Sequence, residues 1–276
     1  MSTTFPARLH VLMARSAPVG LVLRRGPSKS VCSILWNRTT DEFHVGQWLR
    51  GRIYERRSDV SPDGKYLIYF AMNGRGESKT GGAWTAISRT PWLKALVLLG
   101  KGDCWHGGGL FTDQRKYWVN DGYGHIQLRD SSEVSRDTAF APTAYYGGEC
   151  PGVYYVRLQR DGWILRSQHA AACGGATVFE KTLPRGWFLR KLAHAQVGSP
   201  AGKGCYWDEH ELKQAESGSS LKCPSWEWAD VDGKRLVWAE HGCLFARSIK
   251  SANKLGDAKL LHDFNGMTFE PIAAPY

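Results

Sequence analysis

Short runs of apolar and aromatic residues alternate with turn residues along the whole chain. The clearest run is Tyr66–Ala71, which follows the turn Ser61-Pro62-Asp63-Gly64. Proline presets φ in such a turn and glycine accepts a positive φ, so the segment predicts two strands joined by a tight turn. The same order returns where Trp226–Asp230 and Arg235–Ala239 flank Asp232-Gly233. No stretch has an apolar period of about 3.6 residues over about 12 positions, so the pattern predicts almost no helix.

Three weaker copies of this unit complete a repeat. They are Leu9–Met13 with Gly20–Leu23, Gly109–Thr112 with Lys116–Val119, and Val153–Leu158 with Trp163–Leu165. The five turns fall near residues 17, 63, 113, 161 and 232, so that the first four lie 46 to 50 residues apart. This spacing is the length of one four-stranded propeller blade. The last gap is 71 residues, and we assign its excess to an inserted loop over residues 196–222.

Most of these units contain a second pair of predicted strands. The pairs are Val31–Trp36 with Glu42–Val45, Ala83–Ile87 with Ala95–Leu99, Ala176–Phe179 with Trp187–Leu192, and Leu244–Ser248 with Lys259–His262; the third unit has only His125–Leu128. Four strands per unit, repeated around an axis, predict an all-β fold with a single β-propeller domain of five blades. The expected blades are residues 7–49, 50–100, 101–142, 143–195 and 223–276. A β-sandwich pair and a lectin-like trefoil are the alternative folds with many short strands.

The segment Ser58–Leu67 carries its S-P-D-G turn directly before an apolar strand. In this it resembles the blade motif of TolB-type and WD-repeat-like propellers, and Asp230–Trp238 looks like a second copy. The resemblance is loose over the other three units, and the GH and WD dipeptides of true WD repeats do not stand in register. It implies the fold and no activity.

Glycine-rich segments fall in the loops that a propeller places together on one face. They are residues 73–82, 100–109, 145–152 and 168–175, with the 196–222 insert beside them. Variable loops on a rigid scaffold commonly carry binding sites. The expected ligand-binding residues are Trp105, His106, Tyr145, Tyr146, His169, Trp207, Asp208 and His210, and Tyr123 would join them. Such loops are also ordinary propeller connectors, so a structural role is the alternative.

A non-enzymatic binding module for a protein partner or a small polar ligand is the leading functional hypothesis. The enzymatic alternative is a carbohydrate-active hydrolase, which needs two carboxylates about 5.5 or about 6.5–9.5 Å apart. Asp59, Asp103, Glu149 and Asp230 are its candidates. The chain lacks a G-x-S-x-G elbow, a phosphate loop and zinc-ligand spacing. We therefore expect no cofactor and no metal.

Composition adds a third hypothesis and a cellular context. The formal net charge is +10, and a basic chain favours anionic partners such as nucleic acid. Arg56 and Arg57 are neighbours on a predicted strand, however, and alternation would send them to opposite faces of the sheet.

The seven cysteines are scattered along the chain, which argues against a disulfide framework. No apolar run reaches the about 18 residues of a membrane span. We expect a cytoplasmic monomer with free thiols.

Overall fold

The computed structural model describes residues 5–26, 29–168, 175–195, 204–252 and 254–276. Over these ranges the chain forms five β-sheets, most of whose strands pair antiparallel, which confirms the all-β class. It divides into two compact units. Unit 1 comprises Met1–Phe5, His10–Arg157 and Met267–Tyr276, and unit 2 comprises Pro6–Leu9 and Leu158–Gly266.

The first three sheets belong mainly to unit 1. Sheet 1 contains β1 (Arg8–Met13), β2 (Val19–Arg25), β3 (Ser30–Asn37) and β4 (Glu42–Arg50), in that order. Sheet 2 contains β5 (Arg52–Ile53), β6 (Asp59–Val60), β7 (Tyr66–Met72), β8 (Ala83–Arg89), β9 (Ala95–Gly100) and β12 (Ile126–Arg129). Its order is β12-β9-β8-β7-β5, and β6 also pairs with β7. Sheet 3 contains β10 (Gly109–Phe111), β11 (Lys116–Val119) and β13 (Ser135–Arg136).

Unit 2 contains the remaining two sheets. Sheet 4 has the order β14 (Ile164–Ser167), β15 (Thr177–Thr182), β16 (Trp187–Ala195), β17 (Tyr206–Gln214) and β18 (Ser220–Lys222). Sheet 5 contains β19 (Trp226–Asp232), β20 (Arg235–Glu240), β21 (Cys243–Ser251), β22 (Lys254–Leu255) and β23 (Lys259–Asp263). Both β22 and β23 pair with β21. The chain thus folds into consecutive sheets, each built largely from neighbouring segments.

Helix is confined to short segments. Among the described residues there is one α-helix, α1 (Cys150–Arg160), together with 3-10 turns at Glu55–Arg57 and Pro184–Gly186. None of the helices in the described part of the chain has the length and apolar character needed to cross a bilayer.

Sheet 2 is covered on both faces, which explains why β7 is almost wholly buried. Leu67 and Tyr69 pack in one apolar cluster with Leu12 and Leu21 of sheet 1. The alternate residues of the same strand belong to a second cluster with sheet 3, formed by Tyr66, Ile68, Phe111, Tyr117 and others. Successive strand residues point to opposite faces, so a strand packed on both sides becomes an unbroken apolar run.

The predicted Ser61–Gly64 turn is present between β6 and β7. The Ser61 hydroxyl donates to Asp63 Oδ1 (2.7 Å) and accepts from the Tyr66 N–H (3.0 Å). Gly64 has φ +75°, and a β-carbon there would lie 2.9 Å from the Val19 side chain. Glycine is therefore required both by the backbone angle and by the close approach.

The strand predicted at Val153–Leu158 is wrong, because this segment lies within α1. Its Val-Tyr-Tyr-Val composition favours a strand. The helix signals stand at its borders: Pro151 lies in the first turn, and Gly162, with φ +87°, follows the last one. Val153 and Tyr154 are buried, and so are Arg157 and Leu158 four positions further on, which is the repeat of one helical face.

The strand expected at His125–Leu128 is present as β12, but it does not belong to the third sheet. It extends sheet 2 instead, with Ile126 opposite Gly100 and Gln127 opposite Leu99 of β9. The hydropathy pattern predicts a strand at this position, but it does not determine which other strand this strand pairs with. His125, directly before β12, contacts Thr85 of β8 in the same sheet, with 3.2 Å between Nε2 and Oγ1.

The predicted inserted loop at 196–222 contains two strands of sheet 4. β17 pairs with β16 along its whole length, from Ala195 opposite Tyr206 to Trp187 opposite Gln214. β17 was missed because several of its buried positions are polar: Asp208, His210 and Gln214. An alternation with polar residues inside gives no hydrophobic signal. Residues 196–203 lie outside the described residues.

Candidate functional site

Three glycine-rich segments of unit 1 are joined by hydrogen bonds: residues 101–109, 120–125 and 145–149. We call them the loop surface. Asn120 is their common partner, since its N–H donates to the Gly108 carbonyl (2.9 Å) and its carbonyl accepts from the Gly107 N–H (2.8 Å). Its side-chain amide donates to the Gly148 carbonyl (3.0 Å). The segments are therefore held as one body and are not independent connectors.

The imidazole of His106 explains two of the glycines in the loop surface. A β-carbon added to Gly122 or to Gly148 would come within 2.3 Å of the His106 ring. His106 itself has φ +58°, a left-handed conformation that is uncommon for residues other than glycine. Its ring meets Tyr123 edge to face at a centroid distance of 5.6 Å. Glycine at these two positions lets the backbone of both segments close on one histidine.

Arg57 fastens the loop surface to the interior of unit 1. Its guanidinium donates to the carbonyls of Cys104 (2.7 Å) and His106, and it lies over the rings of Tyr54 and Phe70. The predicted alternation of Arg56 and Arg57 on a strand is wrong. Both lie in the Glu55–Arg57 turn, and both are buried. Arg57 thus binds the protein's own backbone.

Aromatic side chains project from this fixed backbone into solvent. Trp105, Tyr123 and Tyr145 are 55%, 67% and 82% exposed. Large exposed aromatics are costly to leave in water and are enriched at binding sites. Tyr146 is turned inward by comparison, because its ring packs edge to face on Tyr155 at 5.3 Å.

An ion pair between a buried lysine and a half-exposed carboxylate lies beside the exposed aromatics. Lys101 Nζ is 2.8 Å from Asp103 Oδ2 and lies 5.1 Å from the centre of the Tyr123 ring. The other carboxylate oxygen, Asp103 Oδ1, accepts from the Trp105 N–H (2.8 Å). Burial acts to raise the pKa of Asp103, but the hydrogen bonds from Lys101 and Trp105 outweigh it and hold that pKa below its usual value. Asp103 is therefore a carboxylate at neutral pH.

His125 lies beneath the same surface in a hydroxyl–imidazole–carboxylate arrangement. Its Nδ1 is 2.8 Å from Asp121 Oδ1, and its Nε2 is 3.2 Å from Thr85 Oγ1. A neutral ring with the proton on Nδ1 satisfies both contacts. The order of groups is that of a hydrolase triad. Thr85, however, is fully buried in β8, and its hydroxyl also accepts from the Gly108 N–H (2.9 Å). We interpret the arrangement as a tie between sheet 2 and the loop surface.

His125 predicts a specific pH dependence of stability. Burial lowers its pKa, and the positive charges of Lys101 and Arg136 act in the same direction against the attraction of Asp121. The unfolded chain, with a histidine pKa of about 6.5, then binds the proton first as the pH falls. We expect the free energy of unfolding to be constant above about pH 7 and to decrease below it, by at most about 1.4 kcal/mol per pH unit for one proton.

The measurement is urea unfolding between pH 7.5 and 5, compared with His125→Gln, which retains hydrogen-bonding groups and does not titrate. The difference between the two proteins isolates His125, since His262 also has a pKa lowered by burial. Burial acts to raise the pKa of Asp121, but the hydrogen bonds from His125 and Arg136 outweigh it and lower that pKa. Asp121 therefore loses its contribution to the free energy of unfolding only below about pH 4. A wild-type curve parallel to that of the variant would contradict the assignment.

Three of the predicted ligand-binding residues lie in unit 2 and do not belong to the loop surface. Trp207, Asp208 and His210 are buried in β17 of unit 2, where Lys191 Nζ contacts His210 Nε2 (3.1 Å) and Asp208 Oδ2 (3.7 Å). They were assigned to an exposed loop because β17 had not been recognised as a strand. His169 lies outside the described residues. Trp105, His106, Tyr145 and Tyr146 belong to the loop surface.

The four candidate carboxylates occupy different surroundings. Asp59 is buried and accepts from the Phe111 N–H (2.8 Å), which ties β6 to β10. Asp103 is in the loop surface. Glu149 directly precedes α1, where its carbonyl accepts from the Gly152 N–H. Asp230, in unit 2, contacts Lys181 Nζ (2.7 Å) and the Trp163 indole N–H (3.4 Å).

Sequence reasoning missed several residues that build the loop surface. Asn120, Lys101, His125 and Thr85 are all buried polar residues. A polar residue gives no hydropathy signal for burial in a loop or in a strand, so the sequence does not indicate locally that these side chains are buried. Their importance follows from partners 20 to 40 positions away in the chain, such as the pairs Thr85–Gly108 and Thr85–His125.

No group of three or more His, Cys, Asp or Glu side chains is placed to hold a metal ion in the part of the chain that the structure describes. The described cysteines are free: Cys32, Cys104, Cys150, Cys205, Cys223 and Cys243.

Comparison with known proteins identifies no family. No protein-family model matches the chain, and no curated protein matches it. Among solved structures, the hydrazine synthase of Kuenenia stuttgartiensis aligns with 90% of this chain and 78% of its own at 10% identity. The TM-score of that alignment is 0.28, which is too low to support a conclusion about fold or function.

Proposed function

We propose that the protein is a non-enzymatic binding module and that the loop surface of unit 1 is its binding site. One observation carries the proposal: exposed aromatic side chains project from a backbone that buried groups hold in place. Trp105 and Tyr123 are largely in water, whereas Asn120 and Arg57 beneath them are buried and hydrogen-bonded. A preorganised site loses little conformational entropy when a ligand binds.

The charge state of Asp103 does not suit the general acid of a glycoside hydrolase. A glycosidase needs a carboxylic acid that is protonated near neutral pH, which requires a raised pKa. The pKa of Asp103 is lowered instead. Asp59 and Asp230 have internal partners that suit a structural role.

The finer fold proposal is that the five sheets are the blades of one five-bladed β-propeller. Its support is the burial of sheet 2 between sheets 1 and 3, since successive blades pack face to face. The sequential order of strands in sheet 1 agrees with a blade meander. A crystal structure tests this proposal directly, and an open arrangement of sheets would contradict it.

The binding proposal is tested by ligand-induced thermal stabilisation. The probes are a panel of oligosaccharides, short peptides and single-stranded oligonucleotides. A ligand present at about 100 times its Kd stabilises the folded state by about 2.7 kcal/mol. We expect at least one probe class to stabilise the wild type and to leave the triple variant Trp105→Ala, Tyr123→Ala, Tyr145→Ala unaffected.

The matched control removes three exposed apolar side chains from unit 2: Ile164→Ala, Leu221→Ala and Leu260→Ala. These residues are about half exposed, as Trp105 is. The control should respond to the probe as the wild type does. Equal responses of the triple variant and the wild type would overturn the proposal, as would the absence of any response.

A further inference from the structure

We infer that the ligand of the loop surface is a neutral carbohydrate, held against Tyr123 and Trp105 and hydrogen-bonded to Asp103. This inference rests on the proposed function and specifies its ligand class. It is drawn from the stacking surface, the polar groups beside it and the balance of charge around it.

The stacking surface is rigid. The Tyr123 and His106 rings pack edge to face, and His106 is enclosed by the backbone at Gly122 and Gly148. The backbone of Trp105 is held by its hydrogen bond to Asp103. A pyranose ring has one face made largely of C–H groups, and flat aromatic rings bury such a face with little loss of side-chain entropy.

The polar group beside the rings suits hydroxyl ligands. Asp103 is 45% exposed at its side chain, and its lowered pKa keeps it ionised. A carboxylate accepts hydrogen bonds from neighbouring hydroxyls, and such charge-assisted bonds are stronger than neutral ones. Lys101 is fully buried behind it and therefore orients the carboxylate without competing for the ligand.

The balance of charge disfavours ionic ligands. Lys101 is neutralised by Asp103, and Arg136 by Asp121. A phosphate backbone needs an excess of positive charge, which these pairs do not provide despite the net charge of the chain. A cationic ligand is disfavoured as well, because the Lys101 ammonium already lies over the Tyr123 ring. Neutral polyhydroxy compounds meet neither penalty.

The experiment is an array of neutral, amino and acidic oligosaccharides, followed by calorimetric titration of the best neutral binder at 50 and 500 mM NaCl. We expect its Kd to change less than twofold with salt. Tyr123→Ala and Trp105→Ala should each weaken binding at least tenfold, and Asp103→Asn should weaken it to a smaller degree. Tyr123→Phe keeps the stacking face and should bind nearly as the wild type, while Ile164→Ala in unit 2 is the control.

Other results would contradict the carbohydrate inference, its assignment to this surface, or the binding proposal as well. Far-ultraviolet circular dichroism verifies that every variant is folded; if one alanine variant is not, the other alanine variant and Asp103→Asn carry the test. A peptide or oligonucleotide that binds in a Tyr123-dependent manner, with no oligosaccharide binding, would overturn this inference and leave the binding module standing. Binding of a sugar unaffected by Tyr123→Ala would overturn the assignment to this surface. If no probe binds at all, both proposals fail.

Discussion

Trp238→Ala is expected to lower the free energy of unfolding of unit 2 by about 3–5 kcal/mol, the range for truncating a buried aromatic residue. Trp238 is 2% exposed and lies between Trp226 and Phe245, with ring centroids 4.9 and 5.5 Å away. The Arg247 guanidinium lies 4.8 Å from the centre of the same ring. Truncation would remove the middle of this stack across β19, β20 and β21, together with the indole donor to Glu240.

Urea unfolding followed by far-ultraviolet circular dichroism measures this loss. Trp105→Ala is the matched control, because it makes the same chemical change at a side chain that is 55% exposed. It should alter stability by less than about 0.5 kcal/mol. Trp238→Phe keeps part of the aromatic stack, so its loss of unfolding free energy should lie between those of Trp238→Ala and Trp105→Ala. A loss below about 1 kcal/mol for Trp238→Ala would show that the stack does not stabilise sheet 5.

Arg57→Met should destabilise unit 1 by about 3 kcal/mol and loosen the loop surface. Methionine fills similar apolar space and has no donor for the Cys104 and His106 carbonyls. A buried polar group that loses its partner costs about 1–3 kcal/mol. The contacts of the guanidinium with the Tyr54 and Phe70 rings are lost as well. The amides of Gly107 and Gly108, which bond Asn120 and Thr85, should then exchange hydrogen faster.

Arg52→Met is the control for this prediction. Arg52 also lies over the Tyr54 ring, at 4.5 Å, but its side chain is exposed. Arg52→Met should lower the free energy of unfolding by less than about 1 kcal/mol, and it should leave the hydrogen exchange of the Gly107 and Gly108 amides unchanged. If the two variants were equally destabilised, the anchoring role of Arg57 would be wrong and only its charge would matter.

The chain alone predicted the strands whose signal is local. Alternation and turn residues located β1 to β3 and β7 to β9 close to their observed bounds, and they located the start of β4 but not its end at Arg50. Gly64 and Gly233 take the positive φ that their turns require. Such features depend on neighbours within a few residues, so the sequence carries them directly.

The helix and the polar strand were not predicted, for opposite reasons. In α1 the composition of Val153–Leu158 favours a strand, and packing of one helical face overrode that propensity. In β17 the buried side chains are Asp208 and His210, among others, so hydropathy indicated a loop. A buried polar residue is acceptable only when distant groups satisfy it, and Lys191 of β16 is one such partner.

The sequence by itself determined the all-β fold class, the turns at Gly64 and Gly233, and the exposed aromatic residues Trp105 and Tyr145. Only the tertiary structure decided that residues 101–109, 120–125 and 145–149 form one surface, and that Trp207 and His210 are not part of it. The physical reason is the separation along the chain between the residues that interact. Strand and turn preferences arise from adjacent residues, whereas this surface depends on Arg57 and Asn120, whose partners are set by how the sheets pack.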